Sequence, residues 1–246
     1  MTSVRTADRT LKLFEAFKVE GQPLSLSELA GFMNVPMSSC HGLVNTLIGR
    51  GYLYHVSKRK LLYPTRKILD VAETIVSKDP LLDRIRLPLS YLRDKTKETI
   101  IIGINERDRV MYIDVIEGTH TVRYTAHPGE FKPLHSSAVG KAILASMADN
   151  ELEKLLRRLP LEKITPMTIT DKKQLLRDLN QGRKRGYYET HGENVVDVDA
   201  VAVPVVSNKG IIGISVAAPS HRMEEARIDV AQELLKTRQT ILEELR

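Results

Sequence analysis

From Ser25 to Gly51 the chain has the pattern of two short helices around a tight turn. Ser25-Leu26-Ser27-Glu28 is a capping-box pattern, with Ser25 as N-cap and Glu28 three residues on. The helix it opens is expected to bury Leu26, Leu29, Ala30 and Met33. Asn34-Val35-Pro36 is a three-residue turn, and Pro36 can set the start of a second helix. On that helix Cys40, Leu43, Val44 and Leu47 fall on one stripe, and Ser38, His41, Gly42 and Asn45 on the opposite face. Gly49-Arg50-Gly51 ends it. Two short helices around a tight turn are the helix-turn-helix signature, whose second helix lies in the major groove of DNA. Ser38 and Ser39 are short enough to let the helix backbone approach phosphates, and Asn45 can read adenine through a paired hydrogen bond. An ordinary helical hairpin with a wet polar face fits the same pattern.

The flanking segments add to the picture. Arg5 to Val19 places Ala7, Leu11, Phe14 and Phe17 at helical spacing, and Gly21-Gln22-Pro23 stops that helix. Tyr52–Val56 and Lys60–Tyr63 are rich in strand formers and flank Ser57-Lys58-Arg59. A hairpin with a cationic tip directly after a recognition helix suits a wing touching the DNA backbone or minor groove. Arg66 to Ser77 reads as a helix with Ile68, Leu69, Ala72, Ile75 and Val76 apolar, either a linker or a dimer contact, and Asp79-Pro80 marks a boundary. Residues 1–80 hold 11 Lys+Arg and 7 Asp+Glu, four of the chain's net six positive charges. That bias is compatible with a polyanionic partner without demanding one.

The remainder reads as a sheet covered by helices. A helix over 82–97, interrupted or started late by Pro88, precedes strand-like runs at Thr99–Asn105, Val110–Glu117 and Val122–Ala126. Helices are expected near 137–148, 149–158 and 171–185, then strands at Tyr187–Thr190, Ala200–Val206 and Ile211–Ala217. Asn208-Lys209-Gly210 is a hairpin turn, and a helix over about 223–245 closes the chain. Strands, then helices, then strands suggest an α+β domain with an antiparallel sheet. At 246 residues, 42% hydrophobic and 28% charged, the chain has the balance of a globular protein. No stretch approaches 18 consecutive apolar residues, and the first residues lack the apolar core of a signal peptide, so the expected compartment is the cytoplasm.

Little in the sequence points to catalytic chemistry. Position 135 is His where a P-loop ending at Gly140-Lys141 needs Gly, and no Gly-x-Gly-x-x-Gly follows a strand. The single cysteine, Cys40, sits on the buried stripe and reads as a core thiol. His127, His135, His191 and His221 are scattered without metal-site spacing. Asp197 and Asp199 alternate where a strand begins, and read as a solvated edge rather than an acid pair. Neither an enzyme, a metal nor a cofactor is expected. One segment differs: Lys132–Ala142 leads from a loop into a helix with Ser136 as N-cap. The first amides of that helix, near Ala138 and Val139, are free donors at its positive end, and such an end binds a carboxylate without a Lys or Arg.

Together these segments resemble the IclR family of bacterial transcription regulators. The resemblance runs from about Val4 to Leu245. It is carried by Pro23-Leu24-Ser25-Leu26, Arg50-Gly51-Tyr52-Leu53, Pro133–Ala138 with Gly140-Lys141-Ala142, Thr168–Asp171, Arg185-Gly186-Tyr187, and Gly213–Val216 with Pro219 and Arg222. It implies an N-terminal winged helix-turn-helix over 1–64, a linker helix over 65–80 and a GAF-like effector domain over 81–246, an antiparallel sheet with helices. It also implies homodimers that can form tetramers, operator DNA as partner, and control of a catabolic operon by a small organic or aromatic acid. The reading adopted is a repressor. A small-molecule enzyme or a protein-interaction module on the C-terminal domain is the alternative. The expected DNA contacts are Ser38, Ser39, His41, Asn45, Arg50, Lys58 and Arg59. The expected effector contacts are Ser136, Ala138, Val139, Thr190, Ala200, Ser215 and Ala217. Four positions depart from the family pattern. Gly42 stands where Arg is usual, Met37 where a basic residue is frequent, Ala200 where cysteine is common, and Thr190 where some members are acidic. The more apolar pocket that results favours a carboxylate with a bulkier or aromatic body over a two-carbon acid.

Overall fold

The computed structural model describes residues 4–56, 60–208 and 210–245, and the chain divides into two compact units between Asp79 and Pro80. Each unit has its own core.

The first unit begins with α1 (Arg5–Glu20), α2 (Leu26–Met33) and α3 (Met37–Gly49). Strands β1 (Leu53–His55) and β2 (Leu62–Pro64) then pair antiparallel, and α4 (Lys67–Val76) ends the unit. The capping box forms as the sequence predicts: Glu28 N–H donates to Ser25 Oγ, and Ser25 N–H donates back to Glu28 Oε2 at 2.7 Å. Pro36 is the N-cap of α3, fixing φ at −58° where the second helix starts. Cys40, Val44 and Leu47 are buried, and so is Leu24, which bridges to Leu62. The stripe expected on α1 is rotated. Its buried residues are Leu13, Ala16 and Phe17, and Leu11 is 65% exposed. Both stripes share the phenylalanine end of the helix, so periodicity alone could not choose between Leu11 and Leu13. Lys58 and Arg59, the expected wing tip, lie outside the described residues, as does Lys209 of the later hairpin.

The second unit opens with α5 (Leu82–Thr96). Pro88 sits inside that helix without interrupting it; the carbonyl it leaves unpaired one turn back belongs to Arg84, an exposed residue. Strands β3 (Thr99–Glu106), β4 (Arg109–Ile116) and β5 (Phe131–Pro133) follow, then α6 (Ala138–Ala145), α7 (Asp149–Arg158) and α8 (Lys172–Arg185). Strands β6 (Tyr188–His191), β7 (Val198–Ser207) and β8 (Gly210–Pro219) and the long α9 (Ser220–Glu244) complete it. The six strands form one antiparallel sheet in the order β5-β4-β3-β8-β7-β6. The strand expected at 122–126 does not form. The edge of β4 is taken by β5, and the carbonyls of Val122 and Tyr124 accept instead from Arg222 and Thr99 side chains.

Alternation along the strands supplies two cores. Ile100, Ile102, Val201, Val203, Ile214 and Val216 face α5 and α9. Ile101, Val110, Tyr112, Ala202 and Ala217 face α6, α7 and α8. The second face is lined by small residues near the middle, which lets α6 approach. Gly103 and Gly213 are directly paired across β3 and β8, and a Cβ on Gly213 would stand 2.7 Å from Val139 Cγ1. This glycine pair is the seat of Val139, and it sets how near the first turn of α6 comes to the sheet.

Candidate functional site

Two regions gather the residues singled out by sequence. On the first unit, Ser38, Ser39, His41 and Asn45 are all exposed on α3, and Arg50 is exposed at its C-cap. Ser38, His41 and Asn45 share the face opposite the Cys40–Val44–Leu47 stripe, Ser39 lies to one side of it, and Arg50 follows the helix end. Asn45 Nδ2 lies 3.3 Å from His41 Nδ1, so when that nitrogen is unprotonated it accepts from the amide and holds the Asn45 side chain. A Cβ on Gly42 would meet nothing within 4 Å, and Met37 is 48% exposed, so this face is smooth where longer basic side chains could have stood. The start of the β1–β2 hairpin is tied to the start of α4. Thr65 Oγ1 donates to the Gly51 carbonyl at 2.6 Å, and Lys67 Nζ donates to the Arg50 carbonyl at 2.9 Å while lying over the Tyr52 ring.

On the second unit, a small cavity lies between the sheet and the first turn of α6. Six of the seven expected effector contacts line it: Ala138, Val139, Thr190, Ala200, Ser215 and Ala217. Strand register explains their convergence, since Thr190, Ala200 and Ala217 stand in one row across β6, β7 and β8. Ser136 is not in the lining. The α6 N-cap is Ser137, one residue later, whose Oγ accepts from Gly140 N–H at 3.2 Å and donates to the Pro133 carbonyl at 3.0 Å. Its backbone is extended (φ −108°, ψ 141°), as an N-cap requires, while Ser136 Oγ donates to Asn194 Oδ1 at 3.4 Å. The amides of Ala138 and Val139 precede the first capped and intrahelical donors, Gly140 and Lys141, and belong to the positive end of the helix.

The sequence reading missed the other lining residues: Ile101, Tyr112, Tyr124, Ser137, Asn194, Val195 and Val198. Tyr112 was recoverable, because it shares strand parity with buried Val110. Tyr124, Asn194 and Val195 come from loops, where no periodicity marks them. The lining carries no Lys, Arg or His, so any negative charge there meets only backbone and neutral side-chain donors. Burial, reinforced by the adjacent Tyr124, pushes the Tyr112 phenol far above its ordinary range, which keeps it a neutral hydrogen-bonding group. The cavity holds about 30 Å³, room for about two water molecules.

Two charged clusters stand behind these walls. Asp199 is not on a solvated edge: it is 5% exposed and accepts from Ser220 Oγ at 2.6 Å and Arg227 at 2.9 Å, with His191 Nδ1 at 3.1 Å. The start of α9 covers the strand end that the sequence left open, and Asp197 turns away at φ 60°. Hydrogen bonding with Glu189 holds His191 above its ordinary value, and the same partner holds Glu189 below the usual carboxylate range. The second cluster centres on Lys141, wholly buried in α6. Among the described residues no group of three or more His, Cys, Asp or Glu could hold a metal ion, and no helix is long and apolar enough to cross a membrane.

Comparison with known proteins bears on both regions. Residues 6–57 match the family model of the IclR helix-turn-helix domain, and residues 73–242 that of the bacterial transcriptional regulator IclR C-terminal domain. The chain is 31% identical over 227 residues to the HTH-type transcriptional regulator BhcR of Paracoccus denitrificans, covering 92% of this chain and 81% of that protein. It is 26% identical over 231 residues to the HTH-type transcriptional repressor AllR of Escherichia coli, covering 93% and 85%. The crystal structure of Thermotoga maritima IclR matches with a TM-score of 0.83 at 26% identity over 99% of both chains. An IclR homologue from Microbacterium hydrocarbonoxydans, solved in complex with 4-hydroxybenzoate, shares the fold with a TM-score of 0.77 at 20% identity over 98% of this chain and 99% of that one.

Proposed function

The chain belongs to the IclR family of bacterial transcriptional regulators, and from that premise we propose that it is a cytoplasmic repressor of a catabolic operon, released or tightened by a small carboxylate bound at the first turn of α6. The observation that carries the effector assignment is the cavity itself. It joins a helix N-terminus to a lining of two tyrosines, neutral polar side chains and aliphatic side chains, with no cationic side chain among the described residues that line it. The amides of Ala138 and Val139 take the carboxylate, which needs no Lys or Arg there. Ser215 and Thr190 offer hydroxyls to a polar substituent, and Ile101, Val195 and Val198 receive an apolar body. The homologue complexed with 4-hydroxybenzoate is a precedent for an aromatic hydroxy acid in this fold. A ligand whose binding also moves a wall of the cavity supplies the differential affinity that a population shift requires.

DNA engagement is assigned to the exposed face of α3. Ser38 and Ser39 lie along phosphates, Asn45 and His41 face base edges, and Arg50 sits at the groove margin. Lys58 and Arg59 of the wing add phosphate contacts. The acting species is a homodimer whose two recognition helices enter successive major grooves, roughly 34 Å apart. The linker helix α4 supports dimerisation, because none of its residues is buried and Leu69, Ile75 and Val76 are half or more exposed.

The test is mobility shift of the DNA upstream of the gene, at low salt, against a panel of glyoxylate, pyruvate, benzoate and 4-hydroxybenzoate, with thermal shift in parallel. The expected result is specific retardation, changed by an aromatic acid that also raises Tm. Stabilisation by the two-carbon acid alone would sink the effector class; no retardation under any condition would sink the regulator.

A further inference from the structure

Lys141 is the largest wholly buried side chain in the molecule's described part, and it is not in the lining of the cavity at the first turn of α6. Its ammonium has three protons and three acceptors on three different segments: Glu193 Oε1 at 2.6 Å, Asp178 Oδ2 at 2.8 Å and the Glu189 carbonyl at 3.2 Å. One nitrogen on α6 therefore ties together α8, β6 and the loop after β6. That loop is a wall of the cavity, since Asn194 and Val195 directly follow Glu193 and line it. The opposite wall is the first turn of α6, one turn before Lys141 itself. Gly140 presses that turn against the preceding loop so closely that a Cβ would stand 2.2 Å from the Leu134 carbonyl oxygen, so α6 has little freedom to move. The other element that the ammonium holds at the cavity is the 192–198 segment.

We propose that Lys141 is the positioning residue of this cavity, clamping the Glu193–Val195 wall to the immobile first turn of α6 and setting how readily the wall yields to a ligand. The proposal rests on the reading of the cavity as the effector site. Lys141 acts through Glu193 and touches no ligand. Burial, with a smaller push from the neighbouring Asp178, raises the Glu193 carboxyl above the usual carboxylate range even against the pull of the Lys141 ammonium. A competing holder exists: Thr165 and Thr168 hydroxyls donate to the Gly192 and Glu193 carbonyls, both at 2.7 Å. The experiment must separate these.

Full-length Glu193→Ala, Glu193→Gln and Asp178→Asn proteins, each checked for folding by its melting curve, are compared with the parent by hydrogen–deuterium exchange of peptides covering 192–198. They are then titrated with benzoate and 4-hydroxybenzoate. Glu193→Ala is expected to speed exchange of the wall at least tenfold and to change the affinity of any acid the parent binds by a similar factor. Glu193→Gln keeps an acceptor for the ammonium and stays within threefold. Asp178→Asn alters the same ammonium's partner on α8 without touching the wall, so it lowers Tm with wall exchange within threefold of the parent. Equal loosening by Glu193→Ala and Asp178→Asn, or none by either, overturns the proposal and leaves Lys141 as a buried structural pair. The expected exchange pattern with no acid bound by any protein supports the clamp and counts instead against the effector assignment.

Discussion

At the scale of single residues, what a side chain can do here depends on whether its partners hold it. Asn45 beside His41 is pre-oriented before any DNA arrives, and pre-orientation lowers the cost of using both amide atoms on one base. Asn45→Ala is expected to lose about 1–3 kcal/mol of preference for the operator while affinity for random duplex is kept; competition binding with the two duplexes measures this, and equal losses on both would assign Asn45 to positioning only. His191 gives a pH signature. Its folded-state value is raised, so its stabilisation is complete below about 6.5 and is lost as pH rises through that raised value. Glu189, held low, contributes above about 4.5 and fails as pH falls through its folded value. The cluster is thus most stabilising between those limits. Melting of His191→Gln against the parent should show the difference in Tm shrinking from about pH 6 to pH 8; a constant gap would assign the loss to packing. Lys141 carried a signal that the sequence reading did not use. It is a lone cation in the apolar run Ala138–Ala145, and a charge in such a run must be buried with partners.

Elements were legible wherever a local rule decided them. The capping box of α2, the proline start of α3, and the paired strands β7 and β8 follow from neighbours in sequence. The element that fails, a strand over 122–126, has adequate strand formers, but its carbonyls are engaged by side chains: Val122 by Arg222 and Tyr124 by Thr99. The slip from Ser136 to Ser137 has the same origin: consecutive serines are equal candidates for an N-cap, and only the backbone path into α6 chooses. This helix yields a prediction at its own scale. Ser137→Ala is expected to cost about 1 kcal/mol through the lost cap, and Gly213→Ala about 1–3 kcal/mol through overpacking against Val139. Urea melts should rank them in that order. Carboxylate affinity should fall in both, because each shifts the amides of Ala138 and Val139; a Gly213→Ala protein that binds as tightly as the parent would show that the seat of Val139 does not set the site.

For the whole molecule, association with DNA is governed by charge summed over many contacts rather than by any one of them. Each phosphate neutralised contributes a slope of roughly −0.9 in log affinity against log salt. Replacing Lys58 and Arg59 together by Gln should flatten the slope by up to about 2 and weaken binding alike on operator and random DNA. Filter binding over a range of salt concentrations reads both quantities. A loss confined to operator DNA would make the wing a reader of sequence instead. Dimerisation belongs to this scale as well. If the proposed dimer forms through α4, sedimentation of Leu69→Lys and Ile75→Lys variants should show dissociation accompanied by loss of operator binding; a parent that sediments as a monomer, or a variant that sediments with the parent, would count against that contact.

Sequence alone determined the helix-turn-helix, the two-part organisation, the α+β class and six of the thirteen residues lining the cavity, because each depends on short-range periodicity, on turn chemistry or on motifs in fixed order. Tertiary structure decided which serine caps α6, which face of α1 is buried, that Asp199 is covered by α9, and which loop residues complete the cavity. These depend on strand register and on chain segments far apart in sequence, as when Arg222 reaches Val122 and Glu98, 100 and 124 residues away. Burial and close approach are properties of the assembled sheet and its helices, and no local pattern encodes them.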